Sequence, residues 1–507
     1  MWMKGIVSLA AVAALSACFL HAESGDSPAV EVVQTSDVKV TASVADDGFS
    51  GVAFGLVIGG VRQEPAVEAV KDESGVWSAD VPVVPGTLVD VFARITAEGS
   101  AEDVFLETAE PIQTIAKVEV VWRGGEGDWD DPAMWSPSNP ARAAGVTMPV
   151  YGCTVTFPRN ADAVVRMPEG EFSNVYNLWL SDGHSVTFTR KAGVTGKVAI
   201  HALNGCEEPS FVSEKTSFVS FVVPKDGSLT LDGIEFDLTQ ISASNKISVD
   251  IGGGDLLIRN SSVMRLCANR EWRSVVFRGA KNLVVDNHST LELIDGSMLF
   301  LGGNSSMYVT NSTVRLNSSF YVDDTGSTTG NRTKILIAGR DSSVSVNGFL
   351  CSSAGVNGTD VIFSVPEDGY AQVPLKGTGN WIGFAVGLNN TIKSGDVSLI
   401  TPITFGIDPQ SPFFALKESR LEGIRLVDWT SGFWTVDHPY YGRNYGSDTY
   451  TAKIPANCFL ADVIQTSVRR RNELVYDLTN GVNTRYGPTR ILANLYSRSG
   501  GLILVLR

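Results

Sequence analysis

Leu283-Val-Val285-Asp-Asn287, Leu291-Glu-Leu293, Leu299-Phe-Leu301-Gly-Gly303, Met307-Tyr-Val309-Thr-Asn311 and Val314-Arg-Leu316 follow one another along a single stretch of chain. In each run apolar residues alternate with others, and several runs end in Asn or Gly. Successive side chains of a strand point to opposite faces, so each run reads as a short strand with one apolar face, closed by a turn residue. The turns come too quickly for helices, and no long segment of the chain carries apolar residues at helical spacing.

Outward from this stretch the runs form two interleaved series. One is Val249/Ile251/Gly253, Val275/Phe277/Gly279, Leu299/Leu301/Gly303 and Ile335/Ile337/Gly339, with glycines 26, 24 and 36 residues apart. The other is Leu229/Leu231/Gly233, Leu256/Ile258/Asn260, Leu283/Val285/Asn287, Met307/Val309/Asn311 and Val344/Val346/Gly348, spaced 27, 27, 24 and 37. Both lengthen at one place, which predicts an insertion of about ten residues between Asn311 and Ile335, with Asp323–Thr333 as its loop. A third run follows the second turn (Leu291/Leu293, Val314/Leu316), so the unit is a three-strand coil. Four to six buried apolar side chains contribute about 6–18 kcal/mol, and ordering ~25 residues costs at least as much, so coils must stack to fold. The pattern therefore predicts a parallel β-helix, right-handed because parallel crossovers are. A leucine-rich repeat would place two residues, not one, before the Asn, and would carry a helical arm.

Gly233 and Gly348 stand where other coils have Asn. Two readings are open: a left-handed backbone conformation that both residues tolerate, or a ladder of stacked Asn amides. The eight Asn-x-Ser/Thr sequons read as products of this turn chemistry rather than glycan sites.

At the start, Lys4 followed by the small apolar run Gly5–Ala14 reads as a signal peptide, too short to span a membrane. Leu15-Ser-Ala-Cys18 resembles the bacterial lipobox, which implies acylation at Cys18; cleavage after Ala22 is the competing reading. The expectation is an exported bacterial protein, either an outer-membrane lipoprotein at the cell surface or a secreted chain. Membrane contact would come only through the lipid, with no separate barrel expected after Leu506. Cys153, Cys206, Cys267, Cys351 and Cys458 lie far apart without Cys-x-x-Cys or His at ligand spacing, so they read as small core residues, and neither metal nor cofactor is expected. Net charge is −15, with 17 acids against 5 bases in residues 23–117. That balance argues against nucleic acid as a partner.

Residues 28–116 hold short alternating runs (Val38–Val44, Val52–Ile58, Val76–Val81, Val89–Ile95) around Gly59-Gly60 and Pro85-Gly86, and predict a sandwich with Trp77 buried. The arrangement resembles the Ig-like or fibronectin-like modules that space bacterial surface proteins from their anchors. Next comes Trp122-Arg-Gly-Gly-Glu-Gly-Asp-Trp129-Asp-Asp-Pro-Ala-Met-Trp135-Ser. It resembles the entry segment of bacterial extracellular β-helix proteins of the autotransporter-associated repeat type, with Met134 where those have Asn. The resemblance implies a right-handed parallel β-helix, its three Trp capping the open end. A carbohydrate-stacking platform is the alternative; a calcium nonapeptide fails because Trp129 stands where Asp is needed. The domains expected are a signal peptide (1–22), the sandwich (28–116), the Trp-rich cap with first coils (118–220), the coils (221–360), and last coils with an aromatic β cap (361–507) closed by strands in Leu495–Leu506.

No catalytic signature stands out. The coils present Ser, Asn, Thr and scattered Arg (Arg259, Arg315), with no acid pair at coil spacing. Asp323-Asp324 reads as a solvated loop, and His184, His201 and His288 as surface residues. The best local cluster is Trp434, Asp437, His438, Tyr440, Tyr441 and Arg443, a candidate glycan-binding set, against the plainer reading of a Tyr-rich loop over the cap. Arg469–Arg471 reads as a solvated turn. The function expected is a non-enzymatic surface or secreted protein with an adhesive, glycan-binding or structural role, its partner a glycan or another surface protein. The alternative is a carbohydrate-active enzyme, a polysaccharide lyase or glycoside hydrolase.

Overall fold

Strand accounts for 62% of the structure and helix for 3%, so the chain is all-β. The computed structural model describes residues 29–202, with breaks at 37, 46–48, 59, 65–66 and 98–102, and between 219 and 497 the strands and turns that carry the repeat. Cys18 with the residues around it, and the segment holding Trp434, Asp437, His438, Tyr440, Tyr441 and Arg443, lie outside the described residues.

Two antiparallel sheets come first. One contains Glu31–Ser36, Lys39–Ala45, Val70–Lys71 and Val76–Pro82; the other is built on Phe49–Ile58 and Leu88–Ala97. Strict alternation sends Val40, Ala42 and Val44 from one sheet, and Val52, Phe54, Val91 and Ile95 from the other, into one shared core. Trp77 is not a buried centre. It lies half-buried at the margin of that core, with the Lys71 ammonium 5.6 Å from its ring centroid. Its indole Nε1 is nevertheless shielded from solvent and has no hydrogen-bond partner among the described residues.

A second, separate core begins at Ala116 and runs to Leu426. The joint between the two is built. Gln34 donates to the Ile115 carbonyl and accepts from its N–H, both at 2.7 Å. Gly86 (φ +72) lies where a Cβ would come within 2.9 Å of the Tyr151 backbone.

Beyond the joint the strands are parallel and fall into three sheets. Sheet A is the eleven-stranded one, from Gly125–Asp128 through Ser228–Asp232, Asp255–Arg259, Asn282–Asp286, Ser306–Thr310 and Thr333–Ala338 to Ile464–Thr466. Sheet B follows each A strand after a short turn and includes Val198–Ala202, Glu235–Leu238, Val263–Cys267, Thr290–Ile294, Thr313–Leu316 and Ser343–Val346. Sheet C precedes each A strand: Glu119–Trp122, Thr154–Thr156, Val219–Val222 and Ile247–Asp250, then the separate ladder Leu299–Gly302, Phe320–Asp323, Phe349–Ser352 and Trp381–Phe384. The ten-residue strand Gly170–Trp179 serves two sheets. Its first half pairs with Val198–Ala202 of sheet B and its end with Val219–Val222 of sheet C. At about 4.8 Å per strand, the eleven strands of sheet A extend roughly 48 Å along the stack. Antiparallel strands stand at both ends: Trp135–Pro137 on Glu119–Trp122, and Thr489–Ser497 between Ile424–Ser431 and Asn472–Thr479.

The strand pairing corrects the two series. Met307 pairs with Ile335 and Val309 with Ile337, so Ile335/Ile337/Gly339 continues the run of Leu283/Val285/Asn287. Val344/Val346 pairs with Val314/Leu316 in sheet B. The sheet-A turns at 233, 260, 287, 311 and 339 then fall 27, 27, 24 and 28 residues apart, with no lengthening. The irregularity lies in sheet C, where Leu299 pairs with Phe320 and Phe320 with Leu350. An inward pair followed by a turn Gly looks the same on every face, so turn residues alone cannot say which strand stacks on which.

Both readings of the Asn positions hold. Asn260, Asn287 and Asn311 adopt φ 57, 52 and 46, and Gly233 and Gly339 φ 72 and 94; Gly348 lies outside the described residues. The amides also chain: Asn287 Nδ2 donates to Asn260 Oδ1, and Asn260 Nδ2 to Asp232 Oδ1, each at 2.6 Å. A buried hydroxyl column runs beside them. Ser262, Ser289 and Ser312 accept from the backbone N–H of Ile234, Ser262 and Ser289 at 3.0–3.2 Å. The Asn-x-Ser pattern at residues 260 and 287 is therefore one outward amide and one inward hydroxyl, each bonded to its counterpart coil.

Candidate functional site

The three entry tryptophans leave little surface to a ligand. Trp122, Trp129 and Trp135 are at most 3% exposed and pack edge to face, with centroids 4.9 and 5.0 Å apart. Trp135 Nε1 donates to the Trp129 carbonyl at 2.8 Å, and Trp122 Nε1 to that of Gly125 at 3.3 Å. The indole nitrogens of Trp122 and Trp135 are thus satisfied within the apolar end of the stack. Cys153 is buried in the same core.

The charged groups of the coil gather on the outward sides of sheets A and B. On sheet A, Asp128 accepts from Arg166 Nε at 2.6 Å and pairs with Lys191 Nζ at 2.9 Å; Lys191 also reaches Asp130 at 3.0 Å, and Arg166 reaches Glu126. The hydrogen bonds from Arg166 and Lys191 hold the Asp128 carboxyl below the usual carboxylate range. Further along, Arg259 lies 3.5 Å from Asp286.

Sheet B carries the denser set. Register places His201, Asp237, Arg265, Glu292 and Arg315 side by side on successive strands. Glu235 lies two residues before Asp237 on the same side. The Arg265 guanidinium bonds Glu235 and comes within 3.6 Å of Asp237 and 3.4 Å of Glu292. Lys197 bridges Glu171 at 2.8 Å and Glu235 at 3.8 Å, and its hydrogen bond holds the Glu171 carboxyl below its ordinary value. His201 is 8% exposed, not a surface residue; neither ring nitrogen has a hydrogen-bond partner among the described residues, and Nε2 stands 3.7 Å from Glu171. His184 is partly exposed beside Asp162 at 3.4 Å, and His288 is exposed at a turn with φ 63.

Acids therefore gather around a shared cation, Glu235 and Asp237 on one strand and Glu292 two strands further on, with Arg265 between them. The signal was present as Glu235-x-Asp237, Arg265 and Glu292, 27 to 28 residues apart. It becomes visible only when strands are aligned by inward pairs rather than by turn residues. Among the described residues no group of three or more His, Cys, Asp or Glu is placed to hold a metal ion, and no helix is long and apolar enough to cross a membrane.

No family model, curated protein or solved structure matches this chain. The class its fold defines is an all-β chain with long parallel sheets.

Proposed function

We propose that this is an exported, non-enzymatic protein of the bacterial cell surface or its surroundings, with an adhesive, glycan-binding or structural role. In this reading an Ig-like sandwich (28–116) spaces a right-handed parallel β-helix, of the autotransporter-associated repeat type, from a lipid anchor at Cys18. Residues 118–220 cap and begin the helix, 221–360 form its body and 361–507 its end. The observation that carries the reading is the mutual satisfaction of polar side chains along the stack. Amides bond amides, hydroxyls bond the next coil's N–H groups, and Arg265 is shared by three carboxylates. Asp128 and Glu171 are pushed toward the anion by neighbouring cations, the wrong direction for a general acid. Such bonding stiffens a rod, and its outward amide and charged groups stand where a ligand would meet them.

A glycan array with the purified mature chain, followed by incubation of bound polysaccharide, tests this; retention without product release is expected. Mass spectrometry of the mature N-terminus tests the anchor, with a diacylglyceryl adduct on Cys18 expected. One observation favours a carbohydrate-active enzyme instead: Glu235 and Asp237 lie together beside Arg265, near a buried His201 whose ring nitrogens are unbonded. Release of product that Asp237→Asn abolishes would establish that reading and overturn the binding role.

A further inference from the structure

Leu178 and Leu180 point into the core, so Trp179 between them must point out. It is 50% exposed, and beyond residue 105 no other large apolar side chain among the described residues is exposed to that degree. Its neighbour is set by strand register. Phe157, buried, donates its N–H to the Asn177 carbonyl at 3.1 Å, and the Ser181 N–H donates to the Arg159 carbonyl at 2.8 Å. These two bonds lay 157–159 alongside 177–181, which brings Arg159 over Trp179, with Cζ 4.9 Å from the ring centroid. Arg159 is exposed and has no carboxylate within ion-pair distance among the described residues, whereas Arg166, Lys191, Lys197, Arg259 and Arg265 are all paired.

We propose that Arg159 and Trp179 form a binding subsite for an acidic sugar residue, a pyranose bearing a carboxylate. An exposed indole face receives the C–H face of a sugar ring. A guanidinium held on the same ring offers its planar donors to a carboxylate in two parallel hydrogen bonds. Its attraction to the Trp179 ring holds the Arg159 guanidinium in place and limits the rotamers it must give up on binding. A neutral sugar would use the ring and leave the guanidinium without its partner, so the pair selects for the anion. The subsite rests on the glycan-binding reading above and gives it a location on the first coils.

The test is equilibrium binding of the full mature chain to polygalacturonate and to the same polymer with its carboxyls reduced to alcohols. The wild-type chain is expected to bind the acidic polymer at least tenfold more tightly, with an affinity that falls as salt rises. Trp179→Ala and Arg159→Gln should each weaken that binding about tenfold or more, and Trp179→Tyr and Arg159→Lys should recover part of it. Far-ultraviolet dichroism and thermal melts identical to wild type show that the fold survives. Unchanged binding in Trp179→Ala and Arg159→Gln overturns the subsite and leaves the glycan reading standing. Equal binding of the reduced polymer overturns its selectivity for the anion. A wild-type chain that binds neither polymer, nor any glycan on the array, overturns the subsite and the glycan reading together.

Discussion

The amide of Asn287 donates to Oδ1 of Asn260 at 2.6 Å, one coil away, while both residues hold a left-handed backbone with φ 52 and 57. One side chain thus does two things at once. It tolerates a conformation costly to a β-branched residue, and it ties adjacent coils.

Because the two contributions are separable, Asn287→Gly and Asn287→Val should differ. Glycine keeps the backbone and loses the amide bonds, for about 0.5–1.5 kcal/mol. Valine loses the bonds and adds about 1–3 kcal/mol of backbone strain. Denaturant unfolding that gives equal losses would show that the amide ladder alone sets the position.

At the next turn but one, Gly339 has φ +94, and a Cβ there would overlap Oδ1 of Asn311. Gly339→Ala should therefore destabilise by about 1–3 kcal/mol or more, where an exposed Gly→Ala elsewhere is near neutral. A thermal melt of Gly339→Ala beside Gly183→Ala, whose Cβ would meet nothing within 4 Å although its φ is +82, separates the overlap from the conformational strain.

Trp135 is fully buried between Trp122 and Trp129. Trp135→Ala should cost about 3–5 kcal/mol, and Trp135→Phe less, since the ring stack survives and only the bond to the Trp129 carbonyl is lost. Limited proteolysis should detect cleavage within residues 119–137 first in the Ala variant.

Asp128 has a pKa lowered by hydrogen bonds from Arg166 and Lys191. A depressed folded-state value adds stability that is present above the unfolded carboxylate pKa, near 3.9, and is lost as pH falls through the folded value. Wild type should melt above Asp128→Asn at pH 6, and the gap should close as pH falls through the lowered folded-state value, below the ordinary carboxylate range. A constant gap from pH 6 to 2 would mean that the carboxylate's charge is not what stabilises.

Arg265→Gln would leave Glu235, Asp237 and Glu292 facing one another without their shared cation. A loss of about 1–3 kcal/mol at pH 7 is expected. Denaturant unfolding of the variant beside the wild type checks its size.

The alternation of Leu283/Val285 or Val314/Leu316, and the Asn and Gly at the turns, were legible in sequence because they are local demands. A strand alternates with period two, and a left-handed turn admits few residues. Those demands predict inward faces and turn positions, and the inward faces are found at Leu229, Leu256, Leu283 and Met307. They say nothing about which strand lies beside which. That depends on the number of residues each coil spends in its loops, which in sheet C varies from 21 between Leu299 and Phe320 to 30 between Phe320 and Leu350. Outward neighbours therefore come from register across a whole coil. Asp237 meets Arg265, and Arg159 meets Trp179, only because the backbones beside them are paired. Burial of His201 has the same origin, since the residues around it are contributed by separate strands. The sequence by itself determined the strands, their inward faces and their turns; stacking alone decided what each outward side chain touches.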